Sequence, residues 1–151
     1  MTKLKIRPAN INDVEAIAAV IAPFVDDVIS SDEGRERFKP HMLKDIFQRP
    51  LIHYFVAEMN GEIVGNLAYI EPSHVMHYFL KAEYQGQGYG RQMWSFLEHE
   101  ILKNDPDIIT VNSSFFALEI YKKFGFEVAS ESTKNWGIQY IPMKKHLSHP
   151  F

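Results

Sequence analysis

The stretch that most constrains the fold is an apolar segment that leads through a glycine-rich turn into a helix pattern. Residues 74–81 have the composition of a buried strand. Three glycines follow at Gly86, Gly88 and Gly90, and Arg91-Gln92-Met93-Trp94-Ser95-Phe96-Leu97-Glu98 then favours a helix. A strand, a glycine turn and a helix N-terminus direct several backbone N–H groups at one point. The pattern therefore predicts an anion site at 85–91.

Length and composition indicate one ordinary globular domain over 1–151. The chain has 151 residues, of which 46% are hydrophobic and 23% charged. A net charge of −3 argues against binding of nucleic acid, which needs excess Lys and Arg. The absence of cysteine excludes disulfides and a cysteine nucleophile. No signal peptide or apolar run of roughly 18 residues is evident, so we expect a cytoplasmic protein without a membrane role.

Periodicity and turn residues predict the order β-α-α-β-β-β-α-β-α-β-β, an α/β (α+β) chain whose mixed sheet has helices on both faces. The predicted strands lie near Leu4–Ile6 and at 51–58, 62–70, 74–81, 108–111, 126–130 and 138–143. The predicted helices cover 13–22, a short segment around Met42–Ile46, 87–103 and 114–124. A strand, a crossover helix and a second strand at 74–111 imply a parallel pair.

Single residues refine these elements. Asn12 is the expected N-cap of the first helix, and Asn60-Gly61 is a strong hairpin signal. Gly65 predicts a bulge or a close backbone approach within its strand. Pro142 places the last strand at an edge or at its end, because proline lacks the N–H that a central ladder needs.

The glycine turn at 85–90 has several readings on its own. It lacks the complete dinucleotide fingerprint G-x-G-x-x-G, and no Gly-Lys-Ser/Thr follows as in a Walker A loop. A plain tight connection and a metal-free pyrophosphate site both remain open. No cluster of residues resembles a magnesium cage, so we expect no metal.

Three motifs resemble one family. Gln85-x-x-Gly88-x-Gly90, placed between a strand and a helix, resembles the acyl-CoA pyrophosphate loop of the GNAT N-acetyltransferases. Val111-Asn112-Ser113-Ser114 followed by Ala117, Tyr121 and Gly125-Phe126 is similar to the family's next strand and helix. Tyr140-Ile141-Pro142-Met143-Lys144-Lys145 is similar to its closing strand.

The resemblance implies a GNAT fold: a mixed, mostly antiparallel, twisted sheet of about six to seven strands with a splayed parallel pair. It implies transfer of an acetyl group from acetyl-CoA to a primary amine by direct attack in a ternary complex. The alternative is a non-catalytic acyl-CoA sensor or interaction module. The implied coenzyme-binding residues are Tyr78, Phe79, Leu80, Gln85, Gly86, Gln87, Gly88, Tyr89, Gly90, Arg91, Asn112 and Ser114.

The resemblance also implies catalytic roles. Tyr121 matches the family's general-acid tyrosine. The base is His74, Glu71 or water; His74 stands at the start of its strand, and imidazole titrates near neutral pH. Strict alternation would put His74 on the same strand face as Tyr78 and would put His77 on the other, which argues against a metal shared by the two histidines.

The acceptor amine is not specified by these motifs. We expect it to contact 24–50, the loop at 131–137 and the sheet edge. The segment 24–50 is either a solvated loop or a lid, and Asp26, Asp27, Asp32 and Glu33 in it favour a cationic acceptor. The last strands are a candidate homodimer interface.

Overall fold

The computed structural model describes residues 3–147 and contains a mixed sheet with helices on both faces. The predicted domain of 1–151 includes a few terminal residues outside that range. The strands are β1 (Lys5–Pro8), β2 (Ile52–Met59), β3 (Glu62–Ile70), β4 (His74–Leu80), β5 (Ile108–Ser113), β6 (Glu127–Val128), β7 (Thr133–Asn135) and β8 (Ile138–His146). The α-helices are α1 (Val14–Ile21), α2 (Val25–Val28), α3 (Asp32–Glu36), α4 (Pro40–Leu43), α5 (Tyr89–Leu102) and α6 (Leu118–Lys123).

The strand order is β1-β2-β3-β4-β5-β8-β6, and β7 pairs with β8. Every described strand pair is antiparallel apart from the parallel pair of β4 and β5. This confirms the predicted mixed, mostly antiparallel sheet and its parallel pair. Within residues 3–147 no helix has both the length and the apolar character needed to cross a membrane.

The sheet separates two hydrophobic cores. One core joins it to α5 and α6 through Met93, Leu97 and Tyr121, and we call this side the α5 face. The other joins it to α1, α2 and α4 through side chains such as Ile17 and Val25, and we call this side the α1 face. Burial on both faces fixes the strand registers, because a slip by one residue would exchange the two sets of side chains.

The hairpin between β2 and β3 follows its sequence signal. Asn60 and Gly61 have φ angles of 53° and 78°, as a two-residue type I′ turn requires. The register shifts by one residue where Ala57 pairs with Gly65 and Glu58 pairs with Ile63, so a bulge lies at Val64. A Cβ on Gly65 would lie 3.0 Å from the Phe79 carbonyl oxygen and 3.1 Å from the Met93 sulfur. Both readings of Gly65, bulge and close approach, are therefore confirmed.

A second bulge interrupts β4. Ala68 pairs with His77 and Tyr69 pairs with Val75, which leaves Met76 as the extra residue. Val75 and Tyr78 consequently lie on the α5 face, and Met76 and Phe79 on the α1 face. The predicted strict alternation is wrong, because one inserted residue inverts the pattern beyond it.

The parallel ladder between β4 and β5 is short. It consists of His74 paired with Thr110 and Val75 paired with Val111, and it ends at the bulge. Bulges bend the strand that carries them. Beyond Val75, β4 retains β3 as its neighbour, and the described residues supply no strand on its other side. A wedge-shaped gap therefore opens between β4 and β5.

Two other expectations are corrected. The N-cap is Asn10, whose side chain accepts from the Asn12 N–H at 2.9 Å while Asp13 reaches back to the Asn10 N–H at 2.8 Å. The capping pattern simply begins two residues earlier and starts a 3-10 turn ahead of α1. Pro142 lies within β8, between β5 and β6, and not at an edge. The Pro142 carbonyl accepts from the Ala129 N–H at 2.8 Å, just past the end of β6. The backbone N–H that proline lacks would therefore lie beyond the last residue pair of β6 and β8, where no partner strand needs it.

The segment after α2 is held against the hairpin of β7 and β8. Ile29 forms a β-bridge with Ile138, and the Ser30 N–H donates to the Gly137 carbonyl at 2.7 Å. Gly34 approaches the same turn so closely that a Cβ there would lie 1.9 Å from the Gly137 carbonyl oxygen. The region predicted as a loop at 131–137 thus contains β7. It binds the segment 24–50, expected to be a loop or a lid, which contains the short helices α2, α3 and α4.

A polar network crosses the α1 face. The amide of Asn66 donates to the Tyr54 hydroxyl at 2.8 Å, and that hydroxyl lies 2.7 Å from Nδ1 of His77. Phe38 and Phe79 lie about 6 Å from the imidazole, ring centre to ring centre. Burial in this setting lowers the pKa of His77 to about 4, so the ring is neutral and can accept a hydrogen bond from the Tyr54 hydroxyl.

We expect Gly65→Ala to lower the free energy of unfolding by about 1 to 3 kcal/mol, because the added methyl overpacks Phe79 and Met93. Gly90→Ala is the matched control: the nearest atom to its added Cβ is 3.9 Å away, and alanine favours a helix. Chemical denaturation measures both. Equal loss in the two variants would contradict the close approach at Gly65.

We expect the free energy of unfolding to fall as the pH decreases from 6.5 to about 4. In this range His77 is protonated in the unfolded chain but stays neutral in the folded protein. His77 contributes roughly 3 kcal/mol to this loss. His77→Gln should be less stable at pH 7 but should lose this part of the pH dependence, as read from melting temperatures across the range. His53→Gln, at a more exposed site, should keep the full slope.

Candidate functional site

A cavity of about 350 Å³ opens at the gap between β4 and β5. Its walls come from the end of β4, the glycine turn, α6 with the turn before it, and α2. The lining residues are Phe24, Asp27, Val28, Tyr78, Phe79, Leu80, Gln85, Gly86, Gly88, Gly90, Arg91, Ser114, Phe116, Ala117, Ile120, Tyr121, Lys123 and Phe124. The cavity thus reaches from the α5 face, where Tyr121 packs, to the α1 face, where Phe79 packs.

The glycine turn forms one end of the cavity. Gly86 and Gly88 have φ angles of 75° and 90°, which glycine alone adopts without strain, and neither has an atom within 4 Å of its missing Cβ. Gly88 is the N-cap of the 14-residue helix α5. The side chain of Gln85 folds back to donate to the Leu80 carbonyl at 2.8 Å. The turn therefore presents open backbone and a positive helix end, next to the Arg91 side chain.

Two tyrosines in the cavity wall differ in what their hydroxyls do. The Tyr78 hydroxyl donates to the Gly90 carbonyl, so it ties β4 to the first turn of α5. Tyr121 lies beside it, with ring centres 6.2 Å apart, and is 5% exposed. No hydrogen bond to the Tyr121 hydroxyl is formed within residues 3–147. Burial raises the pKa of Tyr121, so its hydroxyl is protonated at neutral pH and is free to donate.

One side of α6 and its preceding turn supplies the wall around Tyr121. The lining positions Phe116, Ala117, Ile120, Tyr121 and Phe124 repeat with helical spacing. The Ser114 hydroxyl accepts from the Ala117 N–H at 3.0 Å, as predicted for a capping residue, although α6 itself begins at Leu118. Gly125, with φ of 101°, ends the helix as expected.

Most of the predicted coenzyme-binding residues line the cavity. Those that do are Tyr78, Phe79, Leu80, Gln85, Gly86, Gly88, Gly90, Arg91 and Ser114. Gln87, Tyr89 and Asn112 do not. The Gln87 side chain donates to the Glu83 carbonyl at 2.9 Å, Tyr89 packs against Tyr84, and Asn112 is exposed on β5.

Neither predicted base lies in the cavity wall. Nδ1 of His74 lies 2.8 Å from the Thr110 hydroxyl, where β4 and β5 are still paired. Burial lowers the pKa of His74, so it is neutral near pH 7. Glu71 lies 2.8 Å from the His53 imidazole, which stacks on Tyr69. Because the bulge inverts the alternation, His74 and His77 share the α1 face, but each bonds to a different neighbour.

Several wall residues lie outside the predicted site. No sequence motif marks five side chains that line the cavity: Phe24, Val28, Phe116, Ile120 and Lys123. Helical spacing from Tyr121 was a usable signal for Phe116 and Ile120. No comparable signal marked Phe24 and Val28, because α2 reaches the cavity only through the tertiary fold.

Charge is distributed unevenly between the two faces. Arg91 and Lys123 belong to α5 and α6 on the α5 face, whereas Asp27 is the carboxylate that α2 contributes on the α1 face. The part of the chain that the structure describes contains no group of three or more His, Cys, Asp or Glu side chains that could hold a metal ion. The part of the wall on the α5 face thus suits an anion, and the carboxylate on the α1 face suits a cation.

Solved structures with the same fold are numerous. A PaiA N-acetyltransferase from Thermoplasma acidophilum, in complex with coenzyme A, matches with a TM-score of 0.77 and 18% identity over 96% of this chain and 99% of its own. A GCN5-related N-acetyltransferase from Rhodopseudomonas palustris matches with a TM-score of 0.78 and 20% identity over 95% of both chains.

An aminoglycoside 6'-N-acetyltransferase complexed with coenzyme A matches with a TM-score of 0.74 and 13% identity over 97% of this chain and 99% of its own. At these identities the likeness establishes the fold. No curated protein sequence matches the chain.

The family model described as the acetyltransferase (GNAT) domain matches residues 25–147 of this chain. These residues include the gap between β4 and β5, the glycine turn and α6. The match covers most of the chain and agrees with the architecture and the cavity. The protein is therefore a member of the GNAT acetyltransferase family.

Proposed function

We propose that the protein is an acetyl-CoA-dependent N-acetyltransferase that acts on a primary amine by direct attack in a ternary complex. The observation that carries the proposal is the unpartnered, protonated Tyr121 hydroxyl in the wall of a cavity that also exposes one edge of β4. A module that only bound acyl-CoA would need the open edge and the glycine turn, but not a tyrosine hydroxyl held free at this point.

The coenzyme-binding part of the proposal rests on two features. The backbone beyond Val75 offers N–H and C=O groups where a strand would otherwise pair, so Tyr78, Phe79 and Leu80 are proposed to hold the pantetheine. The N–H groups from Gly86 to Arg91 are proposed to bind the pyrophosphate, because the turn and the helix end combine in an anion site. The Gln85 N–H, predicted with them, already donates to the Ala82 carbonyl at 3.1 Å. Ser114, Asn112, Gln87 and Tyr89 are proposed as flanking contacts.

The reaction requires an N–C bond to form and a C–S bond to break. Backbone N–H groups near Tyr78 to Leu80 are proposed to stabilise the negative charge on the thioester oxygen. Tyr121 donates its proton to the departing sulfur and regains one from solvent. The ammonium form of the acceptor must lose a proton before it attacks.

We propose His74 as the group that receives this proton. His74 and Glu71 both lie outside the cavity wall, so either would act through water. His74 is the better candidate because its lowered pKa leaves the ring neutral and able to accept a proton near pH 7. The Glu71 carboxylate already contacts the His53 imidazole at 2.8 Å, so it is less available as a base.

We expect Tyr121→Phe to lower kcat by about 100-fold or more, the usual contribution of a general acid, while the dissociation constant of coenzyme A stays within about twofold. CoA release from acetyl-CoA with a panel of amines measures the rate, and calorimetry measures binding. Tyr84→Phe, outside the cavity wall, is the control. Coenzyme A binding by the wild type without turnover on any amine would favour the non-catalytic alternative.

We expect His74→Gln to lower kcat/KM by about 10- to 100-fold at pH 7, in the lower part of the range for proton transfer because the transfer runs through water. In the wild type, kcat/KM should fall below pH 6.5 as His74 becomes protonated, and this part of the profile should vanish in the variant. His53→Gln is the matched control, and it removes the partner of Glu71. Its kcat/KM should stay at the wild-type value if Glu71 is not the base. An unchanged rate in His74→Gln would leave Glu71 or water as the proton acceptor.

A further inference from the structure

The acidic segment before α4 contributes one carboxylate to the cavity. Of Asp26, Asp27, Asp32 and Glu33, only Asp27 lines it. Asp26, its neighbour, forms an ion pair with Arg35 at 2.5 Å on the surface. No residue within 3–147 pairs with Asp27. The structure therefore distinguishes two adjacent aspartates that the sequence could not separate.

Asp27 lies across the sheet from the proposed acid. Tyr121 belongs to the core on the α5 face, whereas α2 packs on the α1 face through Val25. Phe24 fixes α2 over the end of β4, with its ring centre 5.9 Å from that of Phe79. Asp27 therefore lies on the α1 face of the cavity, and Tyr121 lies on the α5 face.

The charges show which substrate the α1 face of the cavity suits. Arg91, Lys123 and the α5 N-terminus belong to elements on the α5 face and suit the anionic coenzyme. A carboxylate would repel the phosphates, so Asp27 does not complement the coenzyme. Other parts of the wall are aromatic and aliphatic, formed by Phe24, Val28, Phe116 and Ile120. Such walls fit a short hydrocarbon spacer.

We propose that Asp27 is a specificity-determining residue that binds a second positive charge on the acceptor. The acceptor class is then a small amine with a further ammonium or guanidinium group separated from the reacting nitrogen by a short apolar spacer. This inference rests on the proposed function, since it assigns a substrate to the same cavity. The reacting amine loses its proton, while the second cation keeps its charge and pairs with Asp27.

The probes are butylamine and 1,4-diaminobutane, which share a four-carbon chain and differ in the second charge. We expect the wild type to prefer the diamine, and Asp27→Asn to reduce kcat/KM for the diamine by about 10-fold, mainly through KM. Butylamine should change by less than about twofold. Asp26→Asn removes the same charge one residue away, outside the cavity, and should leave the preference intact.

Two results would overturn the proposal. Equal losses for both amines in Asp27→Asn would assign Asp27 to proton transfer or folding, and an unchanged preference would remove it from the acceptor site. Calorimetric titration of both amines into the complex with coenzyme A provides a readout without turnover. Tighter binding of the diamine, lost in Asp27→Asn, supports the inference even if no amine is acetylated, whereas the absence of acetylation alone refutes the proposed function.

Discussion

The site depends on a single inserted residue, Met76. The parallel pairing of β4 and β5 ends immediately before it, and the bend of a bulge turns the rest of β4 away from its neighbour. Backbone groups in the middle of a sheet normally find a partner strand, because an unpaired buried amide is costly. Here one edge of a central strand is left open, and every wall of the cavity is arranged around that edge.

The bulge also sets the side chains around the gap. By shifting the alternation it brings Tyr78 to the side of α5, where its hydroxyl fastens the first turn of that helix next to the anion site. It places Phe79 on the opposite side, under Phe24 and α2. One backbone irregularity thus supplies contacts to the walls on both faces of the sheet. The N-terminus of α5 lies on one of these faces, and α2 with Asp27 lies on the other.

The sequence was informative wherever structure is local. The Asn60-Gly61 turn, the glycine turn before α5 and the cap at Gly125 depend on backbone angles that few residues adopt, so they could be predicted. The bulge at Met76 could not, because nothing in Val75-Met76-His77 distinguishes an inserted residue from regular alternation. Pro142 misled for a related reason: its position within β8 is tolerable only because β6 ends beside it, which is a tertiary fact.

The contact between Gly34 and Gly137 has a consequence for how such a chain can diversify. The two backbones approach more closely than any side chain would allow, and the adjoining bridge from Ile29 to Ile138 ties the α2 segment to the β8 hairpin. The wall that carries Asp27 is therefore anchored to a strand adjacent to β5, not to the glycine turn. Changes in the length of either segment would have to occur together, and they could remodel one mouth of the cavity while the other kept its shape.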